Sequence, residues 1–393
     1  MSRYVFVTDE LPRPGEAGHL AMNHAIVAWL AARGHEVTVL LNRPRLPRPV
    51  FSYAGVLDRR RVRVEGRGLL SFPGVVAAPA AAPRIVARRL VPKSVRRRAY
   101  GGVDEVLGRF ISADEAAWCA ARIGRLGPRA VLVDTIFRAG VLADPALTRV
   151  ASVVIAHDVF HRRHAALTQA GYRLYPASLT AADEVALLSR ADAVAAIQPE
   201  EAALLRAMLP GTPVFTAGMP VVLRPRPAGL ARIADRLVFL GSETLPNADG
   251  VRWFLAEIWP ALRALRPGVT LDVAGTVGRA VSDVPDGVTL LGRVADLSPV
   301  LHRASLGIAP LRAGSGLKIK LLDYLAHGLA VAATPAAGSG MGGEGLLIAD
   351  DMAPVIAAAL AEPAEARDAV ALNHARLYGA ETVFAELAIN LGA

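Results

Sequence analysis

The sequence predicts an α/β protein made of two doubly wound, Rossmann-like domains. Three observations carry this expectation. The chain has 393 residues, enough for two cores. Short, apolar, β-branched runs alternate with amphipathic stretches. The alternation halts at a proline-rich segment and then restarts. Apolar residues make up 53% and charged residues 20%, the composition of an ordered globular chain.

The first half opens with the strand pattern "RYVFVTD" (3–9), the helix "HLAMNHAIVAWLAARG" (19–34) and the strand "HEVTVLL" (35–41). A strand is predicted at "RVRVEG" (61–66), within a stretch (42–128) that otherwise shows little period. Buried parallel strands read as continuous apolar runs. Such runs recur at "RAVLVDT" (129–135), "ASVVIAHD" (151–158), "ADAVAAIQ" (191–198) and "TPVFTAG" (212–218). Between them lie the helices "AADEVALLSR" (181–190) and "PEEAALLRAML" (199–209), the latter opening on proline and two acids as a helix start should. "PVVLRPRPAGLARIAD" (220–235) is the proline-rich break and is read as a linker.

After the break come the strand "RLVFLGS" (236–242), a helix from Gly250 to Leu265, and the strands "TLDVAGT" (270–276) and "VTLLGRV" (288–294). A short helix at 297–302, the strand "SLGIAPL" (305–311), a helix rich in lysine, and the strands "AVAATP" (330–335) and "GLLIAD" (345–350) follow. This divides the chain into an N-terminal domain (1–219), the linker (220–235), a C-terminal domain (236–370) and a last helical stretch (371–393) that can cross back to the first domain. Ligands of such sheets bind beyond the carboxyl ends of the strands, so the loops at 241–250, 275–279, 293–297 and 312–318 should converge.

The most informative stretch is "AGSGLKIKLLDYLAHG" (313–328). Of 44 basic residues only three are lysine, and two of them, Lys318 and Lys320, share one turn. A helix start disfavours cations, so their presence there points to an anion. Gly314 and Gly316 allow close backbone approach, Ser315 offers a hydroxyl, and unpaired helix N–H groups attract phosphate. Lysine supplies a point charge to phosphate oxygens, and Asp323 one turn on can accept from sugar or ribose hydroxyls. The helical period puts Lys320, Asp323, Tyr324 and His327 on one face, with Ile319, Leu321, Leu322, Leu325 and Ala326 on the core side.

Charge is uneven. The net is +9, yet residues 1–230 hold 31 Arg and Lys against 18 Asp and Glu, and residues 231–393 hold 13 against 17. From Arg59 to Arg98 there are twelve cations and one acid, Glu65. Such a patch fits an anionic partner, and Arg84–Arg98 is expected to meet an anionic membrane surface. Nucleic acid is not the expected partner, because only Phe72 offers a stacking platform there. Cys119, the single cysteine, reads as a buried small hydrophobe and excludes an internal disulfide. Met1-Ser2-Arg3 runs straight into the first strand without a signal-peptide core, and Gly68–Pro83 is broken by prolines and shorter than the ~20 residues of a spanning helix. A cytoplasmic protein is expected, peripheral at the inner face of the plasma membrane. His161 and His164 of "HDVFHRRH" (157–164) do not read as zinc ligands beside Arg162 and Arg163.

Two long runs, "LVFLGSETLPNADGVRWFLAEIWPALRALRPGVTLDVAGT" and "VTLLGRVADLSPVLHRASLGIAPLRAGSGLKIKLLDYLAHGLAVAATPAAGSGM", resemble the donor domain of GT-B glycosyltransferases of family 4, the group 1 transferases. The resemblance is closest over 236–345 and implies the GT-B architecture, two Rossmann-like domains facing a central cleft. By that resemblance Lys318 and Lys320 match the basic pair that grips a nucleoside diphosphate, and Asp323 matches the glutamate that bonds the ribose. Gly241 and Ser242 match the loop after the first donor-domain strand, with Asn247 and Thr276 in the adjoining loops. Arg293 and Val294 lie in "GRVADL", whose backbone would read the base. Gly314, Ser315 and Gly316 complete the donor loop. The family's glutamate pair is absent, its first member falling at Ala313.

The N-terminal half resembles the family through "ELPRPGEAGHLAMNHAIVAWLAARGHEVTVL", in which Gly15 and Gly18 form the glycine loop on the acceptor side. His157, taken alone, reads as a loop histidine; the resemblance sets it beside the reacting sugar. The implied activity is retaining, metal-independent sugar transfer from a nucleotide sugar, with no cofactor, to a glycan or lipid-linked acceptor in polysaccharide, glycolipid or glycoconjugate synthesis. The catalytic set is His157, Lys320 and Asp323. A nucleotide-sugar epimerase on the same fold, and a non-catalytic basic protein that binds nucleic acid or membrane, are the alternatives.

Overall fold

A computed structural model describes residues 1–14, 18–44, 46, 48–79, 83, 103–169, 171–312, 319–341 and 343–393. Gly15, Gly314, Ser315, Gly316, Lys318 and the stretch Arg84–Arg98 lie outside the described residues. The chain divides into two units, Met1–Gly218 with Phe384–Ala393, and Met219–Val383.

In the first unit the strands are β1 (Arg3–Thr8), β2 (Glu36–Leu41), β3 (Val50–Ser52), β4 (Val62–Gly66), β5 (Leu70–Phe72), β6 (Val75–Ala77), β7 (Glu105–Val106), β8 (Ala130–Asp134), β9 (Ala151–Ala156), β10 (Leu174–Tyr175), β11 (Ala193–Ala196) and β12 (Val214–Thr216). Seven form one parallel sheet in the order β12-β11-β9-β8-β1-β2-β4. β8 is buried along its whole length, and β1, β2 and β9 are buried after their first residue, as strands covered on both faces must be. Val5, Val7, Val131, Val133, Val154 and Val194 make the centre of the core. The helix Ala113–Leu126 begins at a reciprocal cap between Ser112 and Glu115 and ends at Gly127 in the left-handed conformation.

The sequence reading missed two features. β3, β6 and β5 form a small antiparallel sheet, and β7 pairs with β10. These strands have two or three residues each, too few for a period to show.

The second unit holds β13 (Arg236–Leu240), β14 (Thr270–Ala274), β15 (Val288–Gly292), β16 (Leu306–Ala309), β17 (Val331–Ala333) and β18 (Leu346–Ile348). They form a parallel sheet in the order β15-β14-β13-β16-β17-β18. Its first helix starts at Leu245 and runs into a π-helical turn, Phe254–Ile258, before resuming at Trp259–Leu265. Pro260 explains the turn: it lacks an N–H and crowds the preceding carbonyls, which a wider turn relieves.

The lysine helix spans Ile319–Ala326. Tyr324 does not lie on its polar face as the helical period suggested. The side chain is fully buried, and its hydroxyl accepts from the Leu240 N–H at 2.7 Å and lies 3.2 Å from the Ile308 carbonyl, bridging β13 and β16. A Cβ at Gly307 would fall 2.8 Å from that ring, so the strand beneath has to be bare. A period counts polar atoms as outward and cannot detect a buried hydroxyl with partners waiting.

Residues 219–235 carry no helix or strand and belong to the second unit. Val221 donates to Tyr378 and Arg224 to Ala326, each at 2.7 Å. At the far end of the chain Phe384 packs on Trp29 with ring centroids 5.2 Å apart, and Glu386 accepts from the Thr216 N–H at 2.9 Å, so residues 384–393 return to the first unit. No helix among the described residues is long and apolar enough to cross a membrane.

Candidate functional site

In each sheet the strand order reverses beside the first strand, between β1 and β8 and between β13 and β16. Chain crossovers leave in opposite directions there, opening a crevice at the carboxyl ends. Each unit gathers its polar side chains at that point.

In the second unit the loop after β13 carries Gly241 and Ser242. Its backbone touches the loop after β14: Gly241 donates to the Ala274 carbonyl at 2.9 Å and Val277 donates to the Gly241 carbonyl at 3.1 Å. Gly275 has φ of 108°, and a Cβ there would collide with the Gly241 carbonyl, so only glycine fits. Thr276 closes the contact by accepting from the Glu243 N–H at 2.8 Å. The Asn247 amide donates to the Ser242 carbonyl at 2.9 Å and accepts from Lys320 Nζ at 2.6 Å. Lys320 also stands over the Phe239 ring, 4.5 Å from its centroid. Gly241, Ser242, Asn247, Thr276 and Lys320 are thus one connected group. Gly292 accepts from the Gly275 N–H at 2.6 Å, which brings the start of the Arg293–Val294 segment to the same loop. Val294 is partly buried and packs on the core of this unit.

Asp323 lies one turn beyond Lys320 on the same helix. Burial pushes its carboxyl up to about 6 against the opposing charge of Arg224, and its side chain makes no hydrogen bond among the described residues. His327 Nδ1 lies 2.7 Å from the Asp323 carbonyl oxygen, which can only accept, so Nδ1 carries the proton. Its Nε2 faces the Ser298 hydroxyl at 3.3 Å, and desolvation holds the imidazole below its ordinary range.

In the first unit His157 follows β9 and Asp134 ends β8. His157 Nε2 lies 3.1 Å from Asp134 Oδ1 and 3.0 Å from Asn23 Oδ1. Both neighbours are acceptors, so Nε2 carries the proton. Thr8 donates to Asp134 Oδ2 at 2.7 Å. Burial would raise the Asp134 carboxyl, but the His157 hydrogen bond and the charges of His157, Arg138 and His19 outweigh it and hold the group well below the usual carboxylate range. Arg138 pairs with Asp9, both buried. Thr135 adopts φ of 62°, a strained conformation for a β-branched residue, directly after Asp134. The helix starting at Gly18 presents His19, whose ring meets that of His157 edge-on with centroids 6.2 Å apart.

Sequence reasoning missed Asp134, Asn23, His19, Thr8 and Arg138. One signal was available: "RAVLVDT" and "ASVVIAHD" are apolar runs that each end on a polar side chain at a carboxyl end. His161 binds Glu184 at 2.7 Å and His164 the Pro176 carbonyl at 3.1 Å, so both act locally. Among the described residues no group of three or more His, Cys, Asp or Glu side chains is placed to hold a metal ion.

Residues 234–365 match the family model for glycosyl transferases group 1. An uncharacterized 44.6 kDa protein in the cps region of Klebsiella pneumoniae is 28% identical over 130 residues. The match spans 29% of this chain and 34% of that relative's length. Among solved structures, Anabaena HepE in complex with UDP and glucose aligns over 100% of both chains at 14% identity with a TM-score of 0.61. S. aureus TarM aligns over 100% of both chains at 10% identity and 0.64. Sucrose-phosphate synthase from Thermosynechococcus elongatus aligns over 99% of this chain and 98% of its own at 16% identity and 0.63. The chain therefore has the GT-B fold, and the family match lies within its second unit.

Proposed function

We propose that the protein moves a sugar from a nucleoside-diphosphate sugar to a glycan or lipid-linked acceptor in glycoconjugate or polysaccharide synthesis, with retention of configuration and without a metal ion. The observation that carries this reading is the linked group Lys320, Asn247 and Ser242 at the β13/β16 switch point, inside the segment that matches the family. In this reading the acceptor hydroxyl attacks the anomeric carbon, the bond from that carbon to the diphosphate breaks, and the hydroxyl proton passes to the leaving phosphate oxygen.

Negative charge grows on the diphosphate as that bond breaks. Lys320 is held within reach by a neutral amide, and a phosphate oxygen is the stronger acceptor for its ammonium group. Lys318 and the helix N–H groups would add to the same stabilisation, which is the work a divalent cation does elsewhere. Asp323, desolvated and without a donor among the described residues, gains most from two vicinal ribose hydroxyls. His157 donates its Nε2 proton to Asn23 Oδ1, with Asp134 Oδ1 3.1 Å away, which fixes the ring and leaves Nδ1 for a sugar hydroxyl. Asp134 is then a positioning residue: it sets the tautomer of His157 without touching substrate.

The Anabaena structures hold UDP and UDP-glucose, which makes uridine diphosphate the first ligand to try here. Calorimetry with UDP, GDP and dTDP, each with and without EDTA, tests the donor half. One of them should bind, with EDTA making no difference. Turnover of the matching nucleotide sugar, followed by NMR of the product anomer, tests the rest. Binding of none, or an inverted product, would overturn the reading.

A further inference from the structure

The small sheet of the first unit has one face that nothing described covers. In the order β3-β6-β5, Val50 pairs with Ala77 and Ala77 with Leu70; Ser52 pairs with Val75 and Val75 with Phe72. Directly paired residues point to the same side, so Val50, Ser52, Leu70, Phe72, Val75 and Ala77 share one face. Five of the six are apolar. Val50 is 60% exposed, Leu70 54% and Phe72 59%, whereas Val76, on the opposite face, is fully buried. Among the described residues the sheet therefore packs one side on the unit and leaves an apolar side uncovered. Three large apolar side chains clustered on the two outer strands of one small sheet form a surface patch, unlike single exposed leucines.

Exposed arginines stand at both ends of that face. Arg48 precedes β3 and Arg67 precedes β5, at the end where Val50, Ala77 and Leu70 align. Arg59 lies against Gly74 in the turn between β5 and β6, at the other end. Of the acids nearby, Glu65 is taken up by Arg122, which it binds through both carboxylate oxygens. We propose that this face is a docking surface for an anionic lipid bilayer, with Leu70, Phe72 and Val50 entering the interfacial layer and Arg48, Arg59 and Arg67 meeting the headgroups. An apolar centre with a cationic rim matches the layering of that surface: acyl chains beneath, negative charge above. In sequence, β6 is followed by the basic run Arg84–Arg98, which lies outside the described residues. The inference is independent of the catalytic reading, since it concerns the bare protein without nucleotide.

The test is co-sedimentation of the full chain with vesicles of phosphatidylcholine alone and of equal parts phosphatidylcholine and phosphatidylglycerol. Binding is expected only to the second, weakening as salt rises. Replacing Leu70→Ser with Phe72→Ser should reduce partitioning by about tenfold or more. Arg48→Gln, Arg59→Gln and Arg67→Gln should each reduce it by about fivefold. Because all five positions are exposed, circular dichroism of each variant should match that of the parent. Cys119 is fully buried, so a dye on Phe72→Cys reports this face alone. Its emission should shift to the blue when acidic vesicles are added. An unshifted dye would overturn the proposal, as would binding that the Leu70 and Phe72 replacements leave intact. A dimer lost in the Leu70 and Phe72 variant, with no vesicle binding by the parent, would assign the face to a second copy instead.

Discussion

Lys320 is one of three lysines in a chain with 41 arginines, and its ammonium group sits between an amide oxygen and an aromatic face. A compact charge with lysine's reach fits that space; a planar guanidinium would have to displace Asn247 or Phe239. Lys320→Ala should therefore weaken nucleoside-diphosphate binding by about 1.5–3 kcal/mol and abolish turnover, and Lys320→Arg should not restore full activity. Calorimetry and kcat/KM measure the two parts, and unchanged kcat/KM in Lys320→Ala would remove the residue from the site. Asp323 makes a different prediction, in pH. Its carboxyl titrates near 6 in the folded chain, above its value in the unfolded chain. The fold thus favours the protonated form: this group's contribution is fully present below about pH 4 and is lost as pH rises through 6. Asp323→Asn should be more stable than the parent near pH 7, by up to about 2 kcal/mol, with the difference vanishing near pH 4. Thermal melts across that range check the sign. Nucleoside affinity of the parent should rise over the same interval, as the carboxylate forms, and in Asp323→Asn it should be flat.

At the scale of elements, the lysine helix is held from behind by the irregular segment before β13. Arg232 is almost wholly buried; it pairs with Asp368 at 2.7 Å and donates to the carbonyls of Leu301 at 2.9 Å and Gly328 at 2.7 Å. Gly328 follows the last turn of the lysine helix, where unpaired carbonyls concentrate negative charge, so the guanidinium caps and anchors it. Arg232→Ala should cost about 1.5–3 kcal/mol, because the carbonyls of Leu301, Ala304 and Gly328 lose a charged donor, whereas Asp368 keeps its pair with Arg226 at 3.1 Å. Denaturant titration measures this, and a loss below about 1 kcal/mol would make the contact incidental. This clamp was not legible in the sequence, where residues 220–235 read only as a linker: proline content reports the lack of regular structure but not what a lone arginine reaches. The parallel strands were legible, because burial on both faces forces continuous apolar runs such as "AVLVD". The grouping of Lys320 with the loops that carry Ser242, Asn247 and Thr276 was legible through the rarity of lysine and the spacing of those loops. The His157–Asp134 pair was not, since two strands had to be set side by side before their last residues could meet.

At the scale of the molecule, the chain leaves its first unit at Gly218, builds the second, and returns for its last ten residues. The return is anchored by apolar burial and by two polar ties. Phe384 and Leu387 are fully buried and Leu391 is 3% exposed. Phe384 fills the space beside Trp29, on the helix that also carries His19 and Asn23, and Arg129 donates to the Leu391 carbonyl at 3.1 Å. Three buried side chains of this size are worth on the order of 5 kcal/mol to the unit that buries them. Ending the chain at Val383 should therefore destabilise the first unit by about that amount while leaving the second, which holds the Lys320 group, close to unchanged. Hydrogen exchange separates the two. Amides of β1, β9 and β12 should lose protection, those of β13 and β14 should keep it, and the affinity for a nucleoside diphosphate should stay within about twofold of the parent. Loosening of the helix Gly18–Ala32 would also free Asn23 and the ring of His157, so turnover should fall although the donor still binds. Equal loss of protection in both units, or full turnover in the shortened chain, would overturn the assignment of the last ten residues to the His157 side.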